Sequence, residues 1–103
     1  MTGAAPDDGG RHVLRLFVAG ATPRSVRAID NLRRLLDREL PGRYNLAVVD
    51  IYQDPDAARA HQVVAAPTLV KLSPEPVRRI IGDLSDAPRV LRGLGVEPMG
   101  DGR

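Results

Sequence analysis

Few residues in this chain are of types that could carry out chemistry. Its 103 residues include no cysteine and only two histidines, His12 and His61. Without a thiolate there can be no disulfide, no sulfur nucleophile and no cysteine metal site. Dithiol exchange is excluded for the same reason, because it begins with an attacking thiolate. Paired acid–base use of the histidines would require them to meet, yet one falls at a strand edge and the other in a short helix. Asp50 and Asp54 are spaced as a strand-end residue and a helix cap, the commonest work of such carboxylates. The stretch "VAGATP" (18–23) has one glycine and no adjacent lysine, so it does not make a phosphate-cradling loop. No catalytic residue, metal site or cofactor is expected. The best small-molecule alternative is a peptide such as glutathione, held by the backbone of a cis Pro67 in "AAPTLV" (65–70). Against it, residues 19–23 offer only the Thr22 hydroxyl, and no tyrosine is expected near the first helix.

The charge is carried almost entirely by arginine: Lys71 is the only lysine among 15 basic residues, set against 13 acidic ones. Arginine's planar fork grips carboxylates and stacks at protein interfaces. Interspersed acids and an aromatic content of 3 % argue against a nucleic-acid surface, which would need stacking platforms. No run is long enough to span a bilayer, and "MTGAAPDDGG" lacks the charged and apolar segments of a secretion signal. The expected location is cytoplasmic.

One domain over residues 12–96 would position these groups, with 1–11 a disordered leader and 97–103 a flexible tail. "HVLRLFVAG" (12–20) reads as a buried strand. In "TPRSVRAIDNLRRLLDREL" (22–40), Thr22 is a suitable N-cap and Pro23 suits the first helical position. Val26, Ile29, Leu32, Leu35, Leu36 and Leu40 form its apolar stripe. "YNLAVVDI" (44–51) is a second strand, parallel to the first across a right-handed crossover. "DPDAARAHQVV" (54–64) is a shorter helix capped by Asp54. "PTLVKL" (67–72) and "VRRIIG" (77–82) form an antiparallel hairpin. "SDAPRVLRGLG" (85–95) closes the chain as a helix from a Ser85 cap, with Val90, Leu91 and Leu94 inward and Gly95 at its end. The order β-α-β-α-β-β-α defines an α/β fold of thioredoxin-like arrangement.

With these strings placed, "LRLFVAGATPRSVRAIDNL", "APTLVKL" and above all "PVRRIIGDLSD" resemble the KaiB family of clock-associated proteins, from His12 to Val96 without an apparent gap. The resemblance implies a non-catalytic binding module with two folds, one thioredoxin-like and one resting fold that differs in the C-terminal half and forms dimers or tetramers. It implies binding to the hexameric ATPase KaiC, with a KaiA-like protein or a histidine kinase as further partners. Arg27, Arg78 and Arg79 match arginines used at interfaces, while Pro67 and Gly93 match positions tied to the balance between folds. Alternation along the fourth strand sends Arg78 and Arg79 to opposite faces, so one of them should point toward a covered side. The C-terminal half suits switching: Pro67, Pro74, Pro76 and Pro88 each precede or enter an element, and Gly93 and Gly95 weaken the last helix by about 1 kcal/mol each against alanine. Gln62, Gly95, His12 and Pro98 depart from the family pattern. A second reading is therefore a fixed-fold sensor or adaptor in a non-oscillating kinase or stress pathway.

Overall fold

The computed structural model describes residues 11–63 and 66–96. The expected tail, and the expected leader apart from Arg11, lie outside the described residues. Seven elements follow in order: β1 (His12–Val18), α1 (Pro23–Glu39), β2 (Tyr44–Asp50), α2 (Pro55–Ala60), β3 (Thr68–Ser73), β4 (Arg78–Ile81) and α3 (Ala87–Leu94). The strands form one sheet in the order β2-β1-β3-β4. β1 and β2 run parallel, joined by the kind of helical crossover that a parallel pair requires, with His12 opposite Tyr44 and Val18 opposite Asp50. The β1–β3 and β3–β4 pairs are antiparallel.

Strand alternation divides the core in two. Leu14, Leu16 and Val18 of β1, with Leu69 and Ile80, face α1 and α3. Phe17 and Val70 face the other way and pack against Ala58 of α2.

Helix α1 starts as its sequence dictates, with the Thr22 hydroxyl accepting the Ser25 N–H and Pro23 in the first turn. Its buried stripe is Ser25, Ala28, Leu32, Leu35, Leu36 and Glu39. Val26 is 51 % exposed, which corrects its place in the expected stripe. The physical reason is Ser25: its hydroxyl accepts the Ala19 N–H at 3.2 Å and the Thr22 hydroxyl at 3.0 Å. Turning Ser25 inward to knit the β1–α1 loop leaves Val26, 100° further round the helix, on the outside.

Other expectations shift too: β2 ends at Asp50, and α2 spans only Pro55–Ala60, leaving His61 as its C-cap. α3 is capped by Asp86, which accepts the Arg89 N–H at 3.2 Å, and not by Ser85, whose own N–H donates to Asp83. β4 is shorter than 77–82, leaving Val77 and Gly82 outside. β3 begins after Pro67 and takes in Ser73. Pro88 does fall in the first turn of α3, where its missing N–H leaves no broken bond, and Gly95 ends the helix at φ 73°, a left-handed conformation that glycine adopts without Cβ strain.

Candidate partner-binding surface

The three arginines singled out in the sequence are all exposed, and the fold distributes them over different regions. Arg27 lies on the outer side of α1, its Nε 3.9 Å from Asp83 in the β4–α3 loop. An exposed pair at that distance contributes little to stability. The Asp83 carboxyl is held below the usual carboxylate range chiefly by hydrogen bonding from Ser85, with Arg27 adding to the effect.

Arg78 and Arg79 do fall on opposite faces of β4, but neither is covered. β4 is an edge strand, and both arginines are exposed on it. Arg79 donates from Nε to the carbonyl of His61 at 3.0 Å, at the end of α2. Arg78 stands opposite Lys71 on the ladder, on the side of Ile80 and α3. The expectation that one arginine must point into a covered side is thereby corrected.

Pro67 is fully buried, and its carbonyl accepts the Gly82 N–H at 3.0 Å. Its bond to Ala66 is cis, as are those preceding Pro74 and Pro76. Near this end of the sheet, Gly20 donates to the Asp50 carboxylate at 3.3 Å. The Tyr52 ring lies 3.9 Å from where a side chain on Gly20 would begin. A tyrosine therefore does stand beside the loop that leads into the first helix, contrary to the sequence reading. It was missed because it lies two residues past β2, distant in sequence from the loop it covers.

Gly93 is a close-approach glycine. A Cβ there would sit 2.5 Å from Cδ1 and 3.0 Å from Cγ1 of Ile80. The absence of a side chain lets α3 lie down on β4. An arginine-lined cavity of about 180 Å³ opens beside α1 and the β4–α3 loop, bordered by Asn31, Arg34, Arg38, Leu84 and Ser85. Its two arginines are already engaged, Arg34 with Asp30 at 2.8 Å and Arg38 with Glu39 at 3.0 Å.

His12 joins the first strand to the last helix. Its Nε2 lies 3.0 Å from the Leu94 carbonyl. A carbonyl only accepts, so Nε2 carries the proton and Nδ1, buried without a partner among the described residues, is the bare nitrogen. Burial is the main influence lowering the imidazole pKa, opposed by the Leu94 hydrogen bond and assisted by Lys71 and Arg43. Because the folded value lies below the ordinary one near 6.5, the stability linked to His12 is complete above that pH. It is lost as pH falls from there through the folded value, where the unfolded chain binds the proton more readily. His12→Gln, which keeps an N–H donor and cannot titrate, is expected to flatten this acid-side decline in melts recorded across the window. An unchanged decline would remove His12 as its source.

Comparison with known proteins gives this surface a family. The KaiB domain matches residues 15–96. A circadian clock oscillator protein KaiB of Prochlorococcus marinus (strain MIT 9313) is 53 % identical over 83 residues, covering 81 % of this chain and 70 % of that protein. One from Nostoc sp. (strain PCC 7120) is 52 % identical, covering 81 % and 77 %. Among solved structures, the N-terminal domain of Synechococcus elongatus SasA is similar at a TM-score of 0.70 and 24 % identity, covering 92 % of this chain and 94 % of that one. Mitochondrial thioredoxin 3 of Saccharomyces cerevisiae follows the same path at a TM-score of 0.67 and 20 % identity, covering 84 % and 78 %. The structural likenesses establish a thioredoxin-like fold. The sequence identity goes further: this chain belongs to the KaiB family.

Proposed function

We propose that this protein is a non-catalytic, KaiB-type clock module that docks on a KaiC-like hexameric ATPase and modulates kinase output by changing fold. The observation that carries the reading is the pair Arg78 and Arg79, exposed on an edge strand within the string "PVRRIIGDLSD" that carries the family resemblance. Arg27, on the outer side of α1, is a third contact. A KaiA-like protein or a histidine kinase is a further partner. The two histidines face opposite sides of the sheet, His12 against α3 and His61 at the end of α2 beside Phe17, which supports a role without acid–base chemistry. In the resting fold the C-terminal half rearranges and the chain assembles as a dimer or tetramer in the cytoplasm, with Pro67 and Gly93 biasing the choice.

The likeness to the SasA N-terminal domain supports the alternative of a fixed thioredoxin-like adaptor in a kinase pathway. Size-exclusion chromatography of the protein alone, and with a KaiC homologue and ATP, separates the two readings. The switching reading expects an oligomer that gives way to a complex, and a monomer that ignores the ATPase would overturn it. Arg78→Glu or Arg79→Glu is expected to weaken capture by at least about tenfold without unfolding, since charge reversal at an interface disfavours the matched partner. Unchanged binding would remove that arginine from the surface.

A further inference from the structure

The hydrogen bonds around β4 decide which of its backbone groups point away from the sheet. The Gly82 N–H donates to the Pro67 carbonyl at 3.0 Å, and these two residues continue the register that sets Ile81 opposite Thr68. In an antiparallel pair, residues that bond across the ladder alternate with residues that do not. Gly82, Ile80 and Arg78 therefore bond toward β3, while the N–H and C=O groups of Arg79 and Ile81 are directed to the far side. β4 is the last strand in the order β2-β1-β3-β4, so that far side is the edge of the sheet. One outward group has a side chain upon it: Arg89 of α3 donates from Nη1 to the Ile81 carbonyl at 3.3 Å. A charged side chain laid on an edge strand is a common guard against unwanted pairing. Arg89 covers one end of this edge, and the Arg79 N–H and C=O and the Ile81 N–H are turned outward beside it.

The side chains along this edge are the second observation. Exposed Arg79 is flanked, two residues away on each side, by Val77 and Ile81, which are 46 % and 49 % exposed. Its Nε donates to the His61 carbonyl at 3.0 Å, which sets the guanidinium in place before any partner arrives. We propose that the outer edge of β4 receives an extended segment of the protein partner as an added strand, with an acidic residue opposite Arg79 and apolar residues two positions to either side. The proposal rests on the partner-binding reading above and names how that partner is held. Main-chain bonds to Arg79 and Ile81 supply affinity, as in other cases of strand addition. Cross-strand pairs, carboxylate on guanidinium and aliphatic on aliphatic, select the sequence. The acids nearest in the chain are engaged elsewhere, Asp83 with Ser85 and Arg27 and Asp86 as the α3 cap. Charge decides against a second copy, since two β4 edges brought together would gather Arg78, Arg79 and Arg89 of both along one seam.

The test follows the full chain by NMR as an acetylated heptapeptide is added, its threonines alternating with valine, glutamate and valine in that order. At saturation the Arg79 and Ile81 amides are expected to exchange with solvent at least about tenfold more slowly, as donors in a ladder do. Ile81→Pro removes one outward N–H and no bond to β3. It is expected to bind the peptide about three- to tenfold more weakly than Ile81→Ala, the worth of one hydrogen bond. Arg89→Ala uncovers the Ile81 carbonyl and is expected to tighten binding several-fold, although it removes a positive charge. A surface acting through charge alone would weaken instead, and that result overturns the proposal. So does equal binding by a peptide N-methylated at its glutamate, or by one with lysine in that place. A third contrary result is protection of the two amides in the free chain that dilution, or deletion of residues 97–103, releases; a second copy or the chain's own C-terminal residues would then be the occupant. Capture of a KaiC homologue is measured separately, and equal capture by Ile81→Pro and Ile81→Ala would remove this edge from that interface. If the wild type binds no such ATPase, the functional reading falls and the peptide titration decides the edge.

Discussion

Truncating Leu36 to alanine is expected to remove about 3–4 kcal/mol of folding stability, within the usual range for a buried leucine. Leu36 is fully buried on α1, in the cluster that joins α1 to Leu14, Leu16 and Leu69 of the sheet and to Leu94 of α3. The loss has two parts: the transfer energy of the removed carbons, and the cavity left because a sheet and two helices cannot all close in on one point. A domain of this size has roughly 5–15 kcal/mol in total, so a single truncation would consume a large share of it. Val26→Ala, ten residues earlier on the same helix, should change stability by no more than about 0.5 kcal/mol, as exposed substitutions generally do. Urea melts of the two variants would measure the contrast directly. Comparable losses would mean that α1 is rotated so that Val26 also faces the sheet.

That contrast also marks where the sequence could be read and where it could not. The order of elements, the parallel β1–β2 pair and the hairpin followed from periodicity, from Pro at helix starts and from Gly at helix ends, all of which are local. The phase of α1 failed by one position because a serine, not a valine, was needed inside. No hydrophobic count shows that a hydroxyl will turn inward to hold the preceding loop. Asp86 and not Ser85 caps α3: the Asp86 carboxylate accepts the Arg89 N–H, while the Ser85 side chain is hydrogen-bonded to Asp83, a competition between neighbours of similar capping propensity. The exposure of both Arg78 and Arg79 depended on β4 being the outermost strand, which alternation along one strand cannot reveal.

Lys71 shows the same limit at the candidate site. Its place in "TLVKL" put it in register with Leu69 on the inward face, and that much was visible in the alternation. That Arg78 would stand opposite it, and His12 nearby, required the register of two ladders, including the irregularity between Val13 and Leu14. The family resemblance identified the arginines individually. Only the pairing of strands revealed that Lys71 and Arg78 stand side by side.

The second large effect is expected on the opposite face of the sheet, at Phe17. It is the chain's only phenylalanine and is fully buried. It packs with Ala58 and Val70, and its ring centre lies 5.6 Å from that of His61. α2 has only six residues, and helices shorter than about 12 residues are marginal in isolation. Its persistence therefore depends on this contact more than on its own hydrogen bonds. Phe17→Ala should cost about 3–5 kcal/mol, and Phe17→Leu less than about 1.5 kcal/mol because it preserves most of the volume. Hydrogen exchange should distinguish this loss from one in the larger core, with α2 amides losing protection before those of α1. Since Arg79 is anchored to the His61 carbonyl, loosening α2 should also weaken partner capture, although Phe17 itself is buried and touches no partner. If Phe17→Ala left α2 as protected as α1, the small core would not be what holds that helix, and the proposed route from Phe17 through His61 to Arg79 would have to be abandoned.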